Sequence, residues 1–338
     1  MKVRMAICVI AFASTTVATN AGEISVFDFG IVSKGPVALG MNTDLSGVTD
    51  PADGSIYSAA IGSLANPAVS CGSGHISGDV SVSPSNTLLS LDLAGTTVDG
   101  TVRVDVPLMT MPTIDITPYK SLATTVMNLA RPPAGTYKNI RIPANTNPTF
   151  NSSVTIQGVM YIQAPNTIHF NNNVNFTGVM VADDPPTGSP DSANYIYFNN
   201  NMTFNGVEQL PDTSDFTNVR KLQGTVILCP GFTMEFKNNL TSVDGVMAVK
   251  SLIARNNIDS TFMGNLLIYG EAGLDFKNIS DVNIDLSTYS GTPPGFVPEP
   301  ITLPLLAMGG LAILRKRRCA GGNQATPSNP STCDWLRQ

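Results

Sequence analysis

Phe-x-Asn, an alternating run and then a glycine recur through the middle of this 338-residue chain. Phe150 to Gly158 (Phe-Asn-Ser-Ser-Val-Thr-Ile-Gln-Gly) aligns with Phe170 to Gly178 and with Phe198 to Gly206. Weaker copies begin at Phe216, Phe236, Ala254 and Phe276, so successive starts lie 20, 28, 18, 20, 18 and 22 residues apart. Glycine recurs with them, at Gly158, Gly178, Gly206, Gly224, Gly245 and Gly264. A near-constant period of this size marks a stacked repeat, in which one unit cannot bury its apolar face alone and its neighbours complete the core.

Within a unit the hydrophobic period is two. Phe170, Asn172, Val174 and Phe176 alternate with Asn171, Asn173, Asn175 and Thr177, the signature of a strand with one face buried. A second apolar strand follows the glycine, as in Val159-Met160-Tyr161-Ile162 and Val246-Met247-Ala248-Val249. The fold expected is therefore all-β: a parallel β-solenoid, right-handed and β-helix-like, with turns of ~20 residues. Two inward ladders are expected, one through Phe150, Phe170, Phe198, Phe216, Phe236 and Phe276, the other through Asn172, Asn200, Asn218, Asn238, Asn256 and Asn278. Asparagine tolerates corner backbone angles, and a buried amide needs partners in the turns above and below. Its period makes these asparagines structural rather than ligand-binding.

Upstream the pattern is looser. His75 to Val82 and Thr97 to Val104 share Gly-x-Val-x-Val at an offset of 22 residues, so residues 22–111 read as a first β-rich array and residues 135–290 as the main one. Residues 112–134 break the period, and Ser121 to Arg131, set between prolines, is the one expected helix. Whether the arrays are one solenoid or two is open at this level.

Both termini look like targeting segments. Lys2 and Arg4 precede an apolar run and small residues ending at Ala21, which reads as a secretory signal helix over residues 1–21. At the other end, residues 291–300 form a Pro-rich linker carrying Val297-Pro298-Glu299-Pro300, Ile301 to Leu314 is apolar, and Arg315-Lys316-Arg317-Arg318 closes it. Fourteen residues span ~21 Å as a helix, short for a ~30 Å hydrocarbon core, and the basic cluster would orient it toward the cytoplasm. This tripartite tail, residues 297–318, closely resembles the PEP-CTERM sorting signal of Gram-negative-type bacteria. The resemblance implies export through the secretion translocon, transient membrane attachment, and recognition of Pro298, Glu299 and Pro300 by an exosortase-type sorting enzyme. The family usually ends at the basic cluster, whereas residues 319–338 add a Gly/Asn/Pro/Ser-rich tail that reads as disordered.

Charge narrows the function classes. Charged residues are only 13% of the chain, about half the usual share, which disfavours a helix-rich enzyme. Between the terminal signals, 12 Lys+Arg stand against 23 Asp+Glu, a net of −11; such a surface excludes nucleic acid as a partner. Cys71 and Cys229 are the only cysteines there, able to form one bridge or to be buried as separate thiols, and no Cys/His spacing indicates a metal or cofactor. The acidic residues with catalytic potential are Asp183, Asp184, Asp212 and Asp215, the first two in the unit lengthened to 28 residues. Paired carboxylates are what a glycoside hydrolase needs, and a polysaccharide lyase typically needs acidic calcium ligands with a Lys or Arg base, but Asp/Pro clusters also make ordinary solvated turns, and a non-enzyme is expected. His75 and His169 read as surface. The function expected is a secreted structural or adhesive protein of the cell surface or extracellular matrix, contacting extracellular polysaccharide; the alternative is a carbohydrate-active β-helix enzyme or a polysaccharide-binding module.

Overall fold

Three strands per turn follow from the repeat. The computed structural model describes residues 24–256, 259–278, 281–288 and 291–297 and folds them as a parallel β-solenoid with almost no helix. Strand Val154–Ile162 pairs in unbroken register with Val174–Ala182, from Val154 opposite Val174 to Ile162 opposite Ala182. Both bend at their glycine, Gly158 at φ +85° and Gly178 at φ +139°, which turns a first face into a second. At Gly178 a Cβ would stand 1.9 Å from the Gly158 carbonyl oxygen, so the close stacking of corners requires glycine. A third face is formed by Asn166–Phe170 against Asn194–Phe198.

Inward side chains of all three faces make one core, with Ile156, Phe176, Met160, Met180, Ile168 and Phe170 fully buried. Phe150, Phe170, Phe198 and Phe236 stack face to face up the third face, with successive centroids 4.7, 5.0 and 4.7 Å apart. Ala254 and Phe276 continue the row, and Leu39 and Cys71 of the first array complete it.

That continuation shows how the arrays meet: they form one solenoid, joined in the reverse of their chain order. Leu266–Ile268 and Leu274–Phe276, near the end of the second array, pair with Ile31–Ser33 and Val37–Leu39, near the start of the first. One coil is shared between them. Asp281–Ile284 supplies its first face, residues 31–39 supply the other two, and Thr43–Gly47 stacks on it. Along the second face the spatial order runs from Thr125–Val126 through Gly135–Ile142 and the second array to Ile31–Ser33, Ile56–Ser58, Val80–Val82 and Val102–Arg103. Eleven strands in this order at ~4.8 Å give a rod of roughly 48 Å.

The first array thus ends at one tip of the rod and the second begins at the other. Residues 104–124 carry the chain back along the outside as an axial strap. It lies over the second face, where Met111, Tyr119 and Ala123 bury against Tyr161, Val181, Leu228 and Leu267. Tyr57 Oη donates to the Pro107 carbonyl at 3.3 Å and accepts from the Met109 N–H at 3.2 Å, and Tyr269 Oη donates to the Pro112 carbonyl at 2.8 Å. Thr113–Ile114 pairs antiparallel with Phe296–Val297. Covered inside and out, the middle strands of the second face, such as residues 159–162 and 246–249, are apolar on both sides, while first- and third-face strands alternate.

Several expectations need correction. The helix expected over Ser121 to Arg131 is instead one turn at Thr117–Lys120, and the chain is extended again at Thr125–Val126. Phe216 and Asn218 do not begin a coil: residues 206–224 are an insertion between the first and second faces of one coil, and Phe216 is buried outside the core, against the second face. The asparagines are not interior. Alternation ends at the phenylalanine because the chain turns a corner there, so Asn172, Asn200 and Asn238 are half-buried while Asn218, Asn256 and Asn278 are exposed. Cys71 and Cys229 are buried free thiols several coils apart. The described residues belong to one compact unit. The expected signal helix, the Pro298–Pro300 motif, the apolar helix with its basic cluster and the tail lie outside the described residues.

Candidate functional site

The outer side of the third face carries the densest constellation of chemistry-bearing side chains. In Asn194–Phe198 the pleat sends Ile196 and Phe198 into the core, which leaves Tyr195 and Tyr197 outward. Parallel register sets His169 beside Tyr197 on one side and Glu235 beside it on the other. The His169 and Tyr197 rings are parallel at 4.5 Å, and Tyr195 stacks on Tyr197 at 4.1 Å. Lys237 Nζ stands 5.4 Å from the Tyr197 ring centre. The three rings stack into one aromatic shelf on the outer face, with a cation over Tyr197.

A charged network locks the shelf in place. Tyr195 Oη donates to Glu235 Oε2 at 2.7 Å, and Arg255 donates to both carboxylate oxygens, Nε at 2.6 Å and Nη2 at 3.4 Å. Burial would raise the Glu235 pKa, but hydrogen bonds from Arg255 and Tyr195 outweigh it and hold the carboxyl below its ordinary range. Burial and the bond to Glu235 push the Tyr195 phenol up, so it stays a neutral donor. His169 is lowered by burial and by Lys237, which keeps it a neutral ring near pH 7. The result is an apolar platform bordered by fixed donors and one anchored carboxylate.

The acidic residues singled out in the sequence are engaged elsewhere. Asp183 accepts from Tyr161 Oη at 2.7 Å and pairs with Lys120 Nζ of the strap at 2.6 Å; Lys120 also lies over the Tyr161 ring. Asp215, on the insertion, pairs with Lys138 at 3.1 Å. Asp184 and Asp212 are exposed. Asp183 and Asp215 thus have separate lysine partners, one fastening the strap and the other the insertion. Among the described residues no group of three or more His, Cys, Asp or Glu is placed to hold a metal ion.

No family model matches the chain, and neither a curated protein nor a solved structure gives a significant match.

The corner asparagines build ladders of their own, one residue beyond the phenylalanines. Asn171 Nδ2 donates to Asn151 Oδ1 at 2.8 Å, and Asn199 Nδ2 to Asn171 Oδ1 at 2.6 Å. Asn172 and Asn200 accept instead from the next backbone N–H, each at 2.9 Å. These amides tie coils together, a structural role for the repeat. The tyrosine shelf escaped the sequence reading because His169 and Tyr197 are 28 residues apart across the lengthened unit. Tyr195-Ile196-Tyr197-Phe198 was its signal: two outward tyrosines at period two, in register with an outward histidine.

Proposed function

We propose that the chain is a secreted structural or adhesive rod of the bacterial envelope or extracellular matrix, and that the tyrosine shelf of its third face grips extracellular polysaccharide. The observation that carries this reading is the shelf, three stacked rings on a rigid sheet with Glu235, Arg255 and Lys237 around it. A pyranose ring has an apolar face of axial C–H bonds and a rim of hydroxyls. Flat aromatic rings take the first, and fixed donors and acceptors take the second. A net charge of −11 between the terminal signals favours neutral or cationic glycans over polyanions. Right-handed winding is the reading that the general preference of parallel crossovers supports. Export, transient membrane attachment and recognition of Val297 to Pro300, with Arg315 to Arg318, by an exosortase-type enzyme complete the proposal on the resemblance of the tail.

Affinity electrophoresis in gels containing neutral, amino-sugar and acidic polysaccharides tests the shelf. Retardation by at least one neutral or amino-sugar polymer is expected for the chain and is lost in Tyr195→Ala/Tyr197→Ala. Equal retardation of that variant would sink the reading. Turnover of any polymer, lost in Asp183→Ala or Asp215→Ala, would replace it with the enzyme. For sorting, deleting Pro298 to Pro300 should shift the protein between envelope and medium, and an unchanged distribution would count against it.

A further inference from the structure

The two tips of the rod differ in charge, and only the folded stacking order reveals it. Residues 116–182 contain Lys120, Arg131, Lys138 and Arg141 and no Asp or Glu. They form the strap's last turn and the coils at one tip. Residues 31–105 contain seven Asp against Lys34 and Arg103, and they form the coils at the opposite tip. In chain order these blocks are neighbours; in the solenoid they are separated by its length. Among the described residues Arg131 and Arg141 at the basic tip, and Asp92 and Asp105 at the acidic tip, have no ion-pair partner.

Both tips also present open strand edges. At the acidic tip Thr96–Val98 on the first face and Val102–Arg103 on the second are paired on one side only among the described residues. At the basic tip the same two faces are open: residues 135–138 on the first and Thr125–Val126 on the second. The third-face edge there is partly closed, since the Ala130 carbonyl accepts the Thr149 N–H. The apolar interior is incompletely covered at both tips. Val98, Val102 and Val104 at the acidic tip and Tyr137 at the basic one pack on the core but are only half-buried. Solenoid ends of this kind need a cap, and unpaired parallel edges recruit further strands.

We infer that the cap is a second copy of this chain, docked head to tail so that the acidic tip of one rod stacks on the basic tip of the next. First face meets first face and second meets second, which extends both parallel sheets across the joint. The opposed charges select head-to-tail over head-to-head pairing. Such a contact is heterologous, leaves a free tip at each end, and so grows into a filament rather than closing as a dimer. Assembly goes beyond the polysaccharide reading and does not depend on the tyrosine shelf.

Charge reversal in complementary pairs tests it, with analytical ultracentrifugation of the full chain at low and at 0.5 M salt as the readout. The unaltered chain is expected to form concentration-dependent oligomers at low salt that fall back toward monomer at high salt. Arg131→Glu/Arg141→Glu makes both tips acidic and Asp92→Lys/Asp105→Lys makes both basic; all four positions are exposed. Each variant alone should stay monomeric, with an unchanged circular dichroism spectrum to show that it folds. An equimolar mixture should assemble, since acidic and basic tips again meet. A strictly monomeric parent, variants that assemble alone as the parent does, or a mixture that stays monomeric would each overturn the inference.

Discussion

Phe198 sits between two parallel rings, 5.0 Å from Phe170 and 4.7 Å from Phe236, with Phe204 meeting its edge at 5.6 Å. It is 1% exposed. Phe198→Ala removes the ring from the middle of the stack, so the cost is the lost transfer energy plus an unrelaxed cavity, about 3–5 kcal/mol; urea unfolding of the variant beside the parent measures it. Polar residues outside the core act by protonation instead. His75 bridges three successive coils, with Nδ1 3.0 Å from Asp44 and Nε2 2.8 Å from Asp99. Hydrogen bonds donated to both carboxylates raise its pKa, so the folded state holds the proton more tightly than the unfolded chain. That stabilisation is complete below the unfolded value of about 6.5 and is lost as pH rises through the folded value. The melting temperature should therefore fall as pH rises above about 6.5, and His75→Gln should flatten that slope. An identical slope in the variant would assign it to another group.

Elements inherit their behaviour from whether they belong to the period. The repeat strands were legible because ladder residues recur locally: Val154, Val174 and Met202 occupy the same register on successive coils, and phenylalanine and glycine mark the corners. The insertion and the strap have no period, so Phe216-Thr217-Asn218 imitated a coil start by chance, and the prolines of residues 106–124 gave breaks without saying where the segment lay. The tyrosine shelf was illegible for a related reason, since its rings meet only across a lengthened unit. One consequence of the insertion is measurable. Residues 206–224 are docked partly through Asp244, which accepts from Gln209 Nε2 at 2.7 Å and from the Gly206 N–H at 3.3 Å. Glu208, on the same turn, is pushed up to about 7, chiefly by burial and then by its hydrogen bond to Asp244. The folded state thus retains a proton that the unfolded chain releases near pH 4.5, so docking is tightest in acid and weakens as pH rises from about 4.5 through 7. Limited proteolysis should cut within residues 206–224 faster at pH 8 than at pH 5.5 relative to a pH-matched control peptide, and Glu208→Gln should remove the difference. Cleavage with the same pH ratio in parent and variant would exclude the carboxyl pair as the cause.

At the scale of the molecule, chain order and spatial order disagree, and the strap is what reconciles them. The shared coil needs Asp281–Ile284 and Ile31–Ser33 together, so its strands cannot complete before both arrays exist. Contacts between residues more than 200 apart in sequence, such as Ile31 with Leu266 and Asp44 with Asp281, make closure of that coil a costly loop-closure step. A circular permutant removes the disagreement. Phe27 and Phe296 meet edge to face at 5.4 Å, so a short Gly/Ser linker can join Val297 to Ile24, and new termini can be opened between Asp105 and Val106 at the acidic tip. The permuted chain begins with the strap, builds the coils in their spatial order and ends at Asp105, with every described contact preserved. It should unfold in one transition with a midpoint near that of the parent cut at Val297, because the two share one core. It should refold faster, because pairing across the shared coil is then between neighbours in the chain. Refolding at the parent's rate would show that the shared coil forms after the limiting step, and two unfolding transitions would show that the arrays are separate cores that only touch.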